Sequence, residues 1–316
     1  MAKVLITGAG GFIGQALCQR LAQQGNEVVA LVRRAALSDS GITYKVADLE
    51  DPDSIALSDL QGVDCIVHLA GRAHVMKDSS AQPLEEYRKV NRDATLRFAQ
   101  QALEAGVKRF VFVSSIGVNG AQTFGTPFDE TSLARPHADY AVSKWEAEEG
   151  VRALLGASTM EWVIVRPPMV YDAAAPGNFA RLMRLAASGL PLPLAKVDNK
   201  RSIISLRNLT AFLSLCTAHT NAANQLFLIA DDQAVSTPRM VELLCEGMGK
   251  GAKLFYCPSS LLLLIAGWVG RSNIHTQLYG SLQIDTGKAK QLLGWKAEES
   301  VDIAIRNAGA GFKKDA

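Results

Sequence analysis

A chain of 316 residues, 48% apolar and 20% charged, can bury a large core as one big domain or two unequal ones, which excludes disorder as its default state. Its 33 basic and 31 acidic residues leave a net charge of +2, so the balance calls for no nucleic-acid or acidic-membrane partner. Cys18, Cys65, Cys216, Cys245 and Cys257 show no C-x-x-C spacing, which argues against a disulfide framework or a zinc site and fits a reducing cytoplasm.

The first residues run directly into a predicted strand at 3–7, so no cleavable signal is expected. Gly8-Ala-Gly-Gly11-Phe12-Ile13-Gly14 follows, and then a helical pattern through Ala16, Leu17 and Leu21. A strand, a glycine turn and a helix in that order make a phosphate cradle. Gly8 permits the tight turn, Gly11 lets the backbone approach a pyrophosphate, and Gly14 lets the helix pack on the strand. A second strand at 27–32 ends in Val32 and is followed by Arg33-Arg34. An acid at that strand end would bind an adenosine ribose hydroxyl, whereas arginine accommodates a 2′-phosphate, so NADP(H) is favoured with NAD(H) as the alternative.

A third strand at 43–47 leads to Asp48-Leu49, where Asp48 can accept from an adenine amine. A fourth, at 64–70, runs into the small-residue turn Ala70-Gly71, and its His68 reads as a packed strand residue. The polar, irregular stretch 72–83 reads as a mobile loop, and a long helix is expected over 84–105 with Asn91 inside it. The fifth strand, 109–113, delivers the hydroxyls of Ser114 and Ser115 at its end, and a sixth is read at 161–166 before Pro167-Pro168. Strands and helices alternating at this spacing imply parallel strands with right-handed crossovers and ligands at the carboxyl ends, a Rossmann-type doubly wound α/β fold.

Between the fifth and sixth strands lies Tyr140-Ala-Val-Ser-Lys144. Positions i and i+4 share a helix face, so the Tyr140 phenol and the Lys144 ammonium converge, and a nearby cation favours the phenolate. Such a pair performs acid–base chemistry on a hydroxyl or carbonyl. Beyond 170 the alternation weakens: a helix near 179–187, an extended Pro-rich stretch at 190–194, strand character at 200–206, helices near 209–218 and 237–248 around a strand at 225–230, and a short helix at 289–293. Residues 1–170 plus about 202–236 are therefore expected to bind the dinucleotide, with about 171–201 and 237–316 as a smaller, partly interleaved α/β unit over the cleft. The apolar stretch 261–270 is too short for a bilayer span of ~20 residues and reads as a buried or amphipathic helix.

Thr7-Gly8-x-x-Gly11-x-x-Gly14, Asp48-Leu49, His68-Leu69-Ala70-Gly71, Asn91, Ser114-Ser115, Tyr140-x-x-x-Lys144 and Arg166-Pro167 together resemble the extended short-chain dehydrogenase/reductase family, across essentially the whole chain. That family includes nucleotide-sugar epimerases, dehydratases and 4-keto reductases. The closest look is to the reductases that form UDP-N-acetylquinovosamine in bacterial O-antigen synthesis. The resemblance implies a catalytic set of Ser115, Tyr140 and Lys144, with Tyr140 giving a proton to a developing alkoxide, Ser115 bonding that oxygen, and Lys144 holding the nicotinamide ribose and lowering the phenol's pKa. It implies cofactor contacts at Gly8, Gly11, Phe12, Ile13, Gly14, Arg33, Arg34, Asp48, Leu49, Leu69, Ala70, Gly71, Asn91, Tyr140, Lys144 and Pro167. Substrate contacts are implied at Ser115, Asn178 and Arg201, the last two on a nucleotide diphosphate, and no metal is expected.

The chain departs from the family where Ser202 stands for a frequent aspartate and where Asn208-Leu209 replaces Asp-Leu. A late Arg-x-x-Asp pair is not visible before Asp285, and Arg271 is a loose substitute. The reading that follows is NADP(H)-dependent reduction of the C4 keto group of a nucleotide-linked hexose, with a UDP-hexose or UDP-N-acetylhexosamine as partner. The alternatives are a UDP-sugar 4-epimerase with retained NAD and, outside enzymes, a dinucleotide-binding regulator or assembly factor. Dehydration is disfavoured because Ser115-Ile-Gly carries no acid pair, and a homodimer is left open.

Overall fold

The computed structural model describes residues 1–34, 41–73, 82–257 and 279–312, so the apolar stretch 261–270, Arg271 and most of the expected loop after Arg72 lie outside the described residues. Seven parallel strands form the main sheet: β1 (Lys3–Thr7), β2 (Glu27–Val32), β3 (Ile42–Val46), β4 (Cys65–His68), β5 (Arg109–Val113), β6 (Glu161–Arg166) and β9 (Gln225–Leu228). Their spatial order is β3-β2-β1-β4-β5-β6-β9. The strands read as nearly unbroken apolar runs because helices cover both faces. On one face Val4 and Ile6 pack with Leu17 and Leu21 of α1 (Phe12–Gln23) and with Leu209 and Phe212 of α7 (Leu206–Ala218). On the other, Leu5, Ile66, Phe110 and Phe112 pack with Phe98 of α4 (Ala94–Glu104) and with Ala147 and Val151 of α5 (Asp139–Leu155).

The chain order reverses at β1, which pairs with β2 on one side and β4 on the other. The loops leaving β1 and β4 therefore diverge and open a crevice at the carboxyl edge. A third core gathers Tyr171 and Phe179, with Met183 of α6 (Gly177–Ala187), Leu243 and Leu244 of α8 (Thr237–Gly247), and Ile305 of α10 (Val301–Gly311). Beside it, β7 (Val170–Tyr171) pairs with β8 (Ile204–Ser205), while α9 (Gly287–Leu293) and Trp295 pack back against the sheet.

Two local expectations are corrected, and one element is new. The helix expected over 84–105 is α3 (Pro83–Arg88) and α4 with a π turn, Lys89–Asp93, between them, and the wholly buried Asn91 sits in that turn. The strand expected over 200–206 shrinks to two residues, because Arg201 makes single-residue bridges to Val235 and Leu282 and Ser205 turns to cap α7. Helix α10 was not foreseen, although its buried Val301, Ala304, Ile305 and Ala308 follow helical spacing.

Candidate active site

At the end of β1, Gly8 takes φ +65°, and a Cβ there would lie 2.8 Å from the Ala70 nitrogen. A Cβ on Gly14 would lie 2.3 Å from the Gly8 carbonyl oxygen, so the first turn of α1 presses on the glycine loop. Gly11 is the N-cap of α1 and supplies no side chain, which leaves the amides of Phe12, Ile13 and Gly14 without a side-chain cap. A dinucleotide pyrophosphate fits this bare helix start, where N–H groups and the helix dipole favour an anion. Phe12 packs toward the third core and Ile13 toward the first.

The β4 end is fixed from beneath. The Ala70 amide donates to Thr7 Oγ1 at 3.1 Å, Thr7 Oγ1 pairs with His68 Nδ1 at 3.0 Å, and His68 Nε2 pairs with Thr95 Oγ1 at 3.0 Å. His68 is buried among Phe98, Phe110 and Phe112, and burial pushes its pKa down to about 3, so it is a neutral strut. Asn91 holds the next residue by both backbone groups: its Oδ1 accepts from the Arg72 amide at 2.8 Å, and its Nδ2 donates to the Arg72 carbonyl at 3.1 Å and to Ser143 Oγ at 3.0 Å. Gly71 lies beside this clamp, where an added Cβ would meet Asn91 Oδ1 at 3.0 Å and Lys144 Nζ at 3.4 Å. Leu69 and Leu49 pack into the two sheet cores.

Val32 at the end of β2 is buried, and the two arginines after it are exposed, with no ion pair to a described residue. Asp48 is exposed too, and one of its carboxylate oxygens accepts from the Glu50 amide at 3.0 Å. The two described side chains that follow β2, Arg33 and Arg34, are thus both cationic.

Tyr140 and Lys144 occupy the first turns of α5 as expected. Lys144 is buried, donates from Nζ to the Val113 carbonyl at 3.0 Å and lies 4.5 Å over the Phe112 ring; burial lowers its pKa to about 8 against the opposing pull of Glu148. The Tyr140 phenol is pushed up to about 12, chiefly by burial and further by Tyr87, whose ring meets it edge-on at 6.1 Å. The lowering expected from Lys144 is therefore not seen: the phenol moves up from its ordinary value, and the Lys144 ammonium is bonded to the Val113 carbonyl instead. Tyr87 was missed in the sequence, although its i, i+4 spacing to Asn91 puts both on one side of the helix.

Ser115 opens a short 3-10 turn, Ile116–Val118, and its Oγ accepts from the Gly117 amide at 3.1 Å. A Cβ on Gly117 would meet Ser115 Oγ at 3.3 Å, Ala141 Cβ at 3.4 Å and His137 Cε1 at 3.7 Å, so Ser115 sits beside the start of α5. Ser114 Oγ is buried and has no partner among the described residues. Pro167 fastens the same turn, its carbonyl accepting from the Ile116 amide at 3.0 Å.

The other two predicted substrate residues, Asn178 and Arg201, lie beyond β7 in the chain. Asn178 is exposed in the first turn of α6, where its Oδ1 accepts from Arg181 at 3.4 Å. Arg201 donates from Nη1 to the Gly280 carbonyl at 2.9 Å and is partly desolvated, which lowers its pKa, with no carboxylate partner among the described residues. A guanidinium in that condition suits an anion. Among the described residues no cluster could hold a metal ion.

The glycine turn, the crevice and the Tyr–Lys helix agree with a profile match: the NAD dependent epimerase/dehydratase family matches residues 4–230. The chain belongs to that family. It is accordingly an NAD(P)-dependent enzyme. A UDP-glucose 4-epimerase of Vibrio cholerae is 39% identical over 313 residues, covering 98% of this chain and 95% of its own length. Among solved structures, MoeE5 in complex with UDP-glucuronic acid and NAD superposes with a TM-score of 0.78 at 24% identity, covering 98% of each chain. The UDP-glucose 4-epimerase of Thermotoga maritima with UDP-glucose gives a TM-score of 0.77 at 20% identity, covering 97% of each chain. At these identities the structural likenesses bear on the fold. No helix among the described residues is long and apolar enough to cross a membrane.

Proposed function

We propose that the chain reduces the C4 keto group of a UDP-linked hexose with NADP(H), in the synthesis of a bacterial surface-polysaccharide sugar. The observation that carries this reading is the end of β2, where Arg33 and Arg34 are exposed and no acid follows Val32. Two exposed guanidinium groups favour a 2′-phosphate, and a freely exchanging NADPH suits net reduction. The bound cofactor would supply the hydride.

The chain's own residues supply the rest. Tyr140, whose phenol is raised to about 12, would donate a proton to the oxygen that develops negative charge. Ser115 Oγ would hydrogen-bond the same oxygen, and the Lys144 ammonium would orient the nicotinamide ribose. Phe12, Ile13 and Gly14 would hold the pyrophosphate, with Gly8, Gly11, Leu69, Ala70, Gly71 and Asn91 shaping the crevice and Asp48, Leu49 and Pro167 bordering it. Arg201 and Asn178 would take the UDP diphosphate. In this division residues 1–170 with about 202–236 bind the dinucleotide and about 171–201 with 237–316 bind the sugar nucleotide, apart from α9 and Trp295, which pack on the sheet.

A second reading, 4-epimerisation with retained NAD, is favoured by the 39% identity to the Vibrio cholerae epimerase over nearly the full length of both chains. One experiment separates the two. Purified protein is given NADPH and a UDP-4-keto-6-deoxy-N-acetylhexosamine while absorbance and products are followed, and in parallel is given UDP-glucose and UDP-N-acetylglucosamine with no added cofactor. Stoichiometric NADPH loss with a reduced sugar product supports reduction. Interconversion of C4 epimers without net cofactor loss transfers the assignment to the epimerase. Dinucleotide binding with neither reaction points to a regulator.

A further inference from the structure

A buried polar bridge, used by none of the roles above, joins the two elements that carry Ser115 and Tyr140. Glu148 lies on α5 one turn beyond Lys144 and is wholly buried. Its carboxylate accepts from Arg166 Nε at 2.9 and 3.2 Å, and Arg152 stands 3.7 Å away on its outer side. Arg166 is the last residue of β6 and is 4% exposed. Its Nη1 donates at 2.9 Å to Oδ1 of Asn119, which is 1% exposed. Asn119 ends the 3-10 turn that Ser115 begins.

The energetics of this arrangement argue for a geometric role. Desolvating a carboxylate and a guanidinium costs several kcal/mol each, and apolar replacements of such pairs are often neutral or stabilising. Stability alone therefore does not account for a pair at this place. What the pair adds is direction: the planar Arg166 fork engages α5 through Nε and Nη2 and the Ser115 turn through Nη1. We propose that Glu148 and Arg166, acting through Asn119, are positioning residues that fix the Ser115 hydroxyl relative to the Tyr140–Lys144 face. The inference rests on the assignment of Ser115 and Tyr140 as the proton-handling pair.

The test uses the full chain with NADPH and the 4-keto sugar nucleotide, and measures kcat, KM, NADPH Kd and thermal midpoint. The double variant E148M/R166M replaces the ion pair by apolar volume. N119A cuts the bridge at its far end with the ion pair intact, and N119D restores an acceptor for Arg166. The expected result is a fall in kcat of about 10- to 100-fold for E148M/R166M and N119A, because misplacement near 1 Å costs about that much. KM and NADPH Kd should stay within about 3-fold, and N119D should recover most of the rate. Wild-type kcat in N119A overturns the proposal, as does a loss of NADPH affinity and thermal midpoint in step with the loss of rate. Should E148M/R166M fail to fold, the N119A and N119D pair decides alone. Tyr140→Phe is the control: if it turns over like the wild type, the proton-handling assignment fails and takes this inference with it. If it is inactive while the bridge variants are unimpaired, only the bridge fails.

Discussion

Removing the two arginines after β2 tests the cofactor assignment most directly. Arg33 and Arg34 are exposed and unpaired among the described residues, so replacing both with alanine breaks no visible protein contact and should leave the thermal midpoint unchanged. A charge-assisted hydrogen bond contributes about 1.5–3 kcal/mol, and the solvent-exposed setting argues for the lower end. Each arginine should then account for about 10-fold in NADPH affinity and the pair for about 100-fold, since 1.4 kcal/mol is a factor of ten. NADH has no 2′-phosphate, so its affinity should move by less than about 3-fold in the same variants. Wild-type NADPH affinity should also fall as salt rises, because screening acts on exposed charges beyond ~8 Å at physiological ionic strength, and the double variant should lose that dependence. Titration of dihydronicotinamide fluorescence with both dinucleotides at two salt concentrations gives all these numbers. Equal losses for NADPH and NADH, or none for either, would refute the 2′-phosphate argument and favour retained NAD.

Other outcomes follow from the same geometry. Tyr140→Phe should lower turnover by about 10²- to 10⁴-fold while NADPH affinity, read by the same fluorescence titration, stays within about 2-fold. Gly14→Ala places a methyl group 2.3 Å from the Gly8 carbonyl oxygen and should introduce about 1–3 kcal/mol of strain, seen as a lower thermal midpoint together with weakened dinucleotide binding. His68 is held down to about 3, whereas an unfolded imidazole titrates near ~6.5, so the unfolded chain takes up a proton that the native chain refuses as pH falls from about 6.5 to about 3. This group should therefore reduce stability across that window and contribute nothing above it. Asp231, raised to about 6 by burial, pulls the other way, so urea unfolding of His68→Gln beside the wild type isolates the imidazole. Parallel stability curves for the two proteins between pH 7 and 4 would reject the assignment of His68 as a buried neutral strut.

The parts of this enzyme that depend on local chemistry were legible in the chain. Gly8, Gly11 and Gly14 announce a loop in which a Cβ has no room, and the strands at 3–7, 27–32, 109–113 and 161–166 announce themselves because burial on both faces demands continuous apolar runs. The parts that depend on tertiary balance were not legible. The pKa of Tyr140 illustrates this: the i, i+4 lysine was visible, but the phenol is raised by burial and by Tyr87, whose ring comes from another helix. The π turn around Asn91 was not visible in the helical pattern, and the contacts that Asn91 makes from it, to Arg72 and Ser143, lie on other segments.

The same contrast explains why the site needs so many buried polar groups that touch no substrate. Ala70, Ser115 and Tyr140 belong to three segments that meet only at the carboxyl edge, and loops at such an edge have few apolar contacts of their own to hold them. The segments at this edge are tied instead by directional bonds to rigid elements: Ala70 to Thr7 above the His68 strut, Arg72 to Asn91, which itself bonds Ser143, and the Ser115 turn to Arg166 through Asn119. Hydrogen bonds fix angle as well as distance, which apolar packing does only loosely, and in a buried setting a missing partner costs about 1–3 kcal/mol, so alternative arrangements of the edge are penalised. Two of these ties share residues with helix α5, through Ser143 and Glu148. A displacement of that helix would therefore disturb the Arg72 clamp and the Ser115 turn together.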